Sequence, residues 1–147
     1  MGLDMHLKGK KWISSWNDGD KELGEKLNAL VPVRPGRVEE VVCEAGYWRK
    51  ANAIHKWFVD NVQDGKDNCG EYYVDQSGLQ KLLEVCERVL EDRDLAVELL
   101  PSQAGFFFGG TDYDEWYFTD LKNTVEIIKP LLGEEFESWS FYYQSSW

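Results

Sequence analysis

Leu79, Leu82, Leu83, Cys86, Val89 and Leu90 recur at steps of three and four, with polar residues filling most of the gaps. Only an α-helix brings such positions onto one face, so the stretch predicts an amphipathic helix that must bury its stripe against another layer. Ser77 opens it, and Gln80 three residues on completes a capping-box spacing. At the amino end the period changes. Leu3, Met5 and Leu7 alternate with Asp4 and His6, the two-residue repeat of a half-buried strand. The chain must therefore pack at least one helix on a sheet.

The remaining segments extend this pattern. A helix is expected over 47–62, where Trp48, Ala51, His55, Phe58 and Val62 share a face, and another from Thr111, carrying Phe118, Leu121, Val125, Ile128 and Leu132 inward to Pro130 and beyond. Strands are expected over 38–44, 71–74, 96–100 and 136–143, with Pro101 ending the third and 105–108 pairing with it. Residues 64–70 read as a loop. Residues 17–36 read as a surface excursion that ends on the turn signal Pro32-Val-Arg-Pro-Gly36. The expected fold is α+β, a mixed and largely antiparallel sheet with about three flanking helices. With 147 residues and no internal repeat, a single domain over 1–147 is expected.

Composition restricts the function classes. The net charge of -11 argues against direct binding to DNA or RNA, which needs a basic surface to neutralise phosphates. It also permits the opposite, an acidic surface that occupies a basic groove on another protein. Cys43, Cys69 and Cys86 are odd in number and widely spaced, which suits a reducing cytoplasmic compartment better than a disulfide framework or a zinc site. No signal peptide is evident, His6 stands where a myristoylation signal needs Ser or Thr, and no apolar run reaches membrane-spanning length. No membrane partner is expected.

Two clusters carry candidate chemistry. Arg49, Lys50 and Lys56 make the 47–62 segment a positive island, and Asn52 lies three residues from both Arg49 and His55. Arg, Asn, and His or Lys on one edge suit a phosphate or carboxylate, Arg giving paired hydrogen bonds and Asn orientation. His55 equally fits a buried, hydrogen-bonded core position, and the charges a solvated face. The second cluster follows Gly105-Phe-Phe-Phe-Gly-Gly110, read as strand and tight turn, with Thr111 and Asp114 spaced to start a helix. Asp112, Asp114 and Glu115 could divide acid and base roles or serve the helix dipole alone. Trp48, Tyr113 and Trp116 are candidates to stack on a planar ring. Cys69 with His55 would make a nucleophile pair, but no third orienting group is apparent. Phosphate-binding and dinucleotide-binding glycine motifs and a serine nucleophile elbow are absent, so no catalytic residue, metal or cofactor is assigned.

The combination of Met1-Gly-Leu-Asp-Met5, Tyr47-Trp-Arg-Lys-Ala-Asn52 with His55 and Trp57, Leu100-Pro101, Gly105-Phe-Phe-Phe-Gly109 and Tyr113-Asp-Glu115 resembles a group of small proteins encoded by phages and by bacterial genomes carrying prophages. The resemblance covers most of the chain outside residues 11–36 and brings no catalytic residues with it. It implies an accessory role in the host cytoplasm. The first expectation is a non-enzymatic counter-defence protein that sequesters a small anionic, nucleotide-derived immune signal. In it Arg49, Asn52, His55 and Lys56 would hold phosphate and ribose, and Trp48, Tyr113 or Trp116 the base. The alternatives are an acidic inhibitor of a host defence protein, in the manner of an anti-CRISPR, and a nucleotide hydrolase using His55 with Asp112 or Asp114.

Overall fold

The alternation of Leu3, Met5 and Leu7 passes into strand β1 (Asp4–Trp12) in the computed structural model, which describes residues 2–147 and leaves Met1 outside. Helix α1 (Asp18–Asn28) follows, then β2 (Glu40–Arg49), α2 (Asn52–Asn61), β3 (Tyr72–Val74) and α3 (Gln76–Glu91). A short 3-10 turn leads to α4 (Ala96–Leu99), and α5 (Glu115–Leu131) and β4 (Ser140–Ser146) complete the chain. All strand pairings are antiparallel, in the order β2-β1-β4-β3, so the fold is α+β.

One face of the sheet carries Leu3, Met5, Leu7, Phe141 and Tyr143, all buried. Phe58 of α2, Leu79 and Leu82 of α3 and Leu121 and Ile128 of α5 close over them. Each such side chain contributes about 1.5–3 kcal/mol on leaving water. Phe58 stacks on Tyr143 with ring centroids 3.9 Å apart. Pairing of β1 with β2 is regular except for a register shift between Leu7 and Lys8. There Gly46 lets α5 approach, since a Cβ at that position would lie 2.6 Å from Ile127 Cγ2. The α3 stripe is inward as its spacing predicts, and Cys86 is a core thiol whose pKa is pushed up to about 12 by burial. Asp75, two residues before the expected Ser77, caps α3 by accepting from Gly78 N at 2.6 Å.

Several expected boundaries move. The helix expected over 47–62 begins only at Asn52, because residues 46–49 alternate buried and exposed and continue β2. Lys50, with φ of 58°, then turns the chain through the left-handed region, which no helix can run through. Trp48 is buried from the strand, its indole N–H donating to Thr124 Oγ1 at 2.9 Å. The expected strand over 96–100 is helical. Ala96 and Leu100, one turn apart, are both buried, and an apolar run of this length fits either period. Residues 105–108 form a turn with no strand partner, Phe106 standing in solvent while Phe108 enters the core. Asp114, and not Thr111, caps α5 by accepting from Tyr117 N at 3.1 Å. The last strand starts at Ser140, after a 3-10 turn over Glu134–Phe136. The 17–36 excursion contains α1, capped by Asn17 and carrying no buried side chain. No helix among the described residues is long and apolar enough to cross a membrane.

Candidate functional site

Where β2 hands over to α2 the backbone makes a tight corner. Lys50 N donates to Leu3 O at 2.8 Å, and Asn52 N donates to Lys50 O at 2.9 Å. The Asn52 side chain then fastens the loop ahead of α5. Its Nδ2 donates to Phe108 O at 3.1 Å and to Gly110 O at 2.8 Å, and its Oδ1 accepts from Gln103 N at 2.9 Å. Gly109 (φ 88°) lies so close to the corner that a Cβ there would sit 3.2 Å from Lys50 Cβ. Only glycine combines that approach with that backbone angle.

This clamp leaves a cleft of about 280 Å³ between the corner and the start of α5. One wall is Arg49, Lys50 and the first turn of α2; the other is Asp112, Asp114, Trp116 and Asp120. The α2 terminus has Ala51 at its cap position, no side-chain cap and no acid in its first turn. Ala53 and Ile54 of this first turn line the cleft, both buried, at the positive end of the helix dipole, and no side chain among the described residues caps them. Arg49 and Lys50 are exposed and form no ion pair among the described residues. Together these groups give this wall a positive character.

The acidic wall is graded. Asp114 already has one oxygen engaged as the α5 cap. Asp120, one helical turn beyond Trp116, accepts no side-chain hydrogen bond among the described residues. Partial burial, reinforced by the charge of Asp114, pushes its carboxyl up to about 6. Trp116 is 80% exposed, an indole held at the rim with little packing to explain it. No group of three or more His, Cys, Asp or Glu suited to a metal occurs among the described residues.

Of the residues nominated from sequence, Arg49, Asn52, Asp112, Asp114 and Trp116 line the cleft, though Asn52 spends its side chain on the loop. The others do not. His55 is fully buried, with Nδ1 2.7 Å from Tyr143 Oη and Nε2 2.9 Å from Asp67 Oδ2. Both ring nitrogens are thus committed, which removes His55 from a ligand edge and from pairing with Cys69. Trp48 is in the core. Lys56 pairs with Asp60 at 2.6 Å one turn along α2. Tyr113 is half-buried, packed on Tyr117, its hydroxyl accepting from Ser102 N at 3.2 Å. Glu115 pairs with Arg93 at 2.6 Å. Asp120 was not singled out from the sequence, although its four-residue spacing from Trp116 was a usable signal. A larger hollow of about 520 Å³ lies beside α1; of its two carboxylates, Asp20 is already held by Lys11 at 3.1 Å and by Ser14 N at 3.1 Å, and Glu25 is exposed. No protein-family model, no curated protein and no solved structure matches the chain.

Proposed function

We propose that the cleft between the β2–α2 corner and the start of α5 binds a small phosphorylated, nucleotide-like ligand and holds it without turnover. The observation that carries this reading is the meeting, in one concavity, of a helix terminus with no side-chain cap, two cations without an ion pair among the described residues, and an exposed indole. A phosphate would sit near the first turn of α2 with Arg49 and Lys50 beside it. A planar ring would lie on Trp116. Three carboxylates nearby disfavour a bare anion and favour a ligand that brings hydroxyl or N–H donors, as a ribose and a base do. At about 280 Å³ the cleft is near the lower end of the roughly 300–1,000 Å³ typical of ligand sites, a size for one nucleotide and not for a cyclic oligonucleotide. In the phage setting that the sequence resemblance implies, such binding would withdraw a nucleotide signal from host defence.

A second reading follows from Asp114 and Asp120. Two neighbouring carboxyls with unlike environments are the arrangement used for acid and base catalysis. Binding is favoured because the histidine expected to assist is committed elsewhere. Titration calorimetry against nucleoside mono-, di- and triphosphates, followed by mass spectrometry of the recovered ligand, tests both. Recovery of unchanged ligand supports sequestration, and a hydrolysed product would transfer the site to the catalytic reading. Absence of binding across the panel would remove the nucleotide reading and leave the acidic-surface inhibitor.

A further inference from the structure

We infer that Asp120 reads the base of the bound nucleotide, and that the base it selects is guanine. This deepens the nucleotide reading of the cleft and rests on it. Trp116 and Asp120 are four residues apart on α5 and line the same cleft. Residues at that spacing lie on one face of a helix with Cβ atoms about 5–6 Å apart. A ring laid on the exposed indole would therefore turn one edge toward the Asp120 carboxyl.

The carboxyl is free to meet it, since no side chain or backbone amide among the described residues donates to it. An ionised carboxylate is acceptor-only and takes two parallel N–H bonds. The base edges differ sharply against that demand. Adenine and cytosine each set an amino donor beside a ring-nitrogen acceptor, which would face the carboxylate lone pair to lone pair. Uracil flanks its single N–H with two carbonyls. Guanine alone offers two adjacent donors, N1–H and the 2-amino group, pointing the same way. A half-buried acceptor left unmatched by the wrong base is what makes such a site selective. The remaining acids have a place in the same picture: Asp112 and the free oxygen of Asp114 are positioned at the cleft to accept from ribose hydroxyls.

The test is a calorimetric comparison of guanosine, inosine, adenosine and xanthosine monophosphates on the intact chain and on Asp120→Asn. The intact protein is expected to bind guanosine monophosphate about ten- to a hundredfold tighter than the inosine or adenosine compound, the range for one paired hydrogen-bond readout. Inosine is the sharper control, since it lacks only the 2-amino group. The carboxamide introduced by Asp120→Asn would present one donor and one acceptor, matching the N1–H and C2 carbonyl of xanthine. The substitution should therefore reverse the order in favour of xanthosine monophosphate, an outcome that simple loss of structure cannot produce. Equal affinities in the intact protein, or an unchanged order in the variant, would overturn base reading while leaving phosphate binding in place. No binding of any of the four would overturn this inference, and the nucleotide reading beneath it falls only if the wider panel of mono-, di- and triphosphates also fails to bind.

Discussion

Arg49 and His55 are six residues apart, flank the same corner, and meet opposite fates. His55 is fully buried, and each of its ring nitrogens has a partner within 2.9 Å. Arg49 is exposed at the edge of a concavity and forms no ion pair among the described residues. Both were plausible ligand groups on paper. Their surroundings separate them: polar capacity that the fold has already consumed is structure, and capacity left open in a cleft is available to something else.

The largest expected effect falls on the consumed side. His55→Ala leaves Tyr143 Oη and Asp67 without their partner beside a core cavity, and should cost about 3 kcal/mol of folding stability in urea denaturation. Its affinity for ligand per folded molecule should not change. A normal denaturation midpoint would break the comparison outright. Asn52→Ala comes next, at about 2 kcal/mol, because three loop groups lose their bonds together. It should also weaken ligand binding by loosening the Gly109 loop, so stability and affinity fall together, unlike either neighbour. Arg49→Ala should leave stability within about 0.5 kcal/mol and cost about 2 kcal/mol in nucleotide affinity, measured by calorimetry. A loss of stability with unchanged affinity would place Arg49 on the structural side.

The smallest effect sharpens the open side. Because the folded state raises the Asp120 carboxyl from 3.8 to about 6, it holds that proton more firmly than the unfolded chain does. The resulting stability is fully present below about pH 4 and is lost as pH rises toward about 6. Asp120→Asn should flatten this part of the pH profile and stabilise the fold at pH 7 by about 1 kcal/mol, after allowance for solvent screening. An unchanged slope between pH 4 and 6 would mean that the carboxyl is well solvated and poorly placed to discriminate ligands.

Sequence reasoning did best where one period was unambiguous. Leu3, Met5 and Leu7 allow only a strand, and the Leu79 to Val89 stripe only a helix. It did worst at residues 47–50. Trp48 fits a step of two with Gly46 as well as a step of three with Ala51, and the choice was made by Lys50 adopting a left-handed backbone against Leu3 and Gly109. That is a tertiary event with no local sequence signature. The three phenylalanines misled for a related reason: composition reports a wish for burial, but the turn satisfies it for Phe108 alone. In the site, Arg49, Asp112 and Trp116 could be nominated because a glycine pair and a charge island mark where chains come close. The commitment of His55 depended on Tyr143, 88 residues away, and on Asp67 across a loop. Asp120 looked like any solvated acid on a helix, and only the opposing wall makes it part of a concavity.

Helix α1 has a cap and intrahelical ion pairs such as Lys26 with Glu22, yet buries no side chain. Its opening is expected to be weakly coupled to the global transition, because Leu23 and Leu27 are only half-buried and no side chain of the helix enters the core. Amide protons there should exchange orders of magnitude faster than those of α2 or β1, and limited proteolysis should nick this segment first. A chain cut between residues 18 and 36 would keep the sheet, the corner at Lys50 and the start of α5 as a nicked but folded complex. The protein thus has a region where tags, insertions or circular permutation can be placed at little thermodynamic cost, well apart in sequence from the groups that line the cleft.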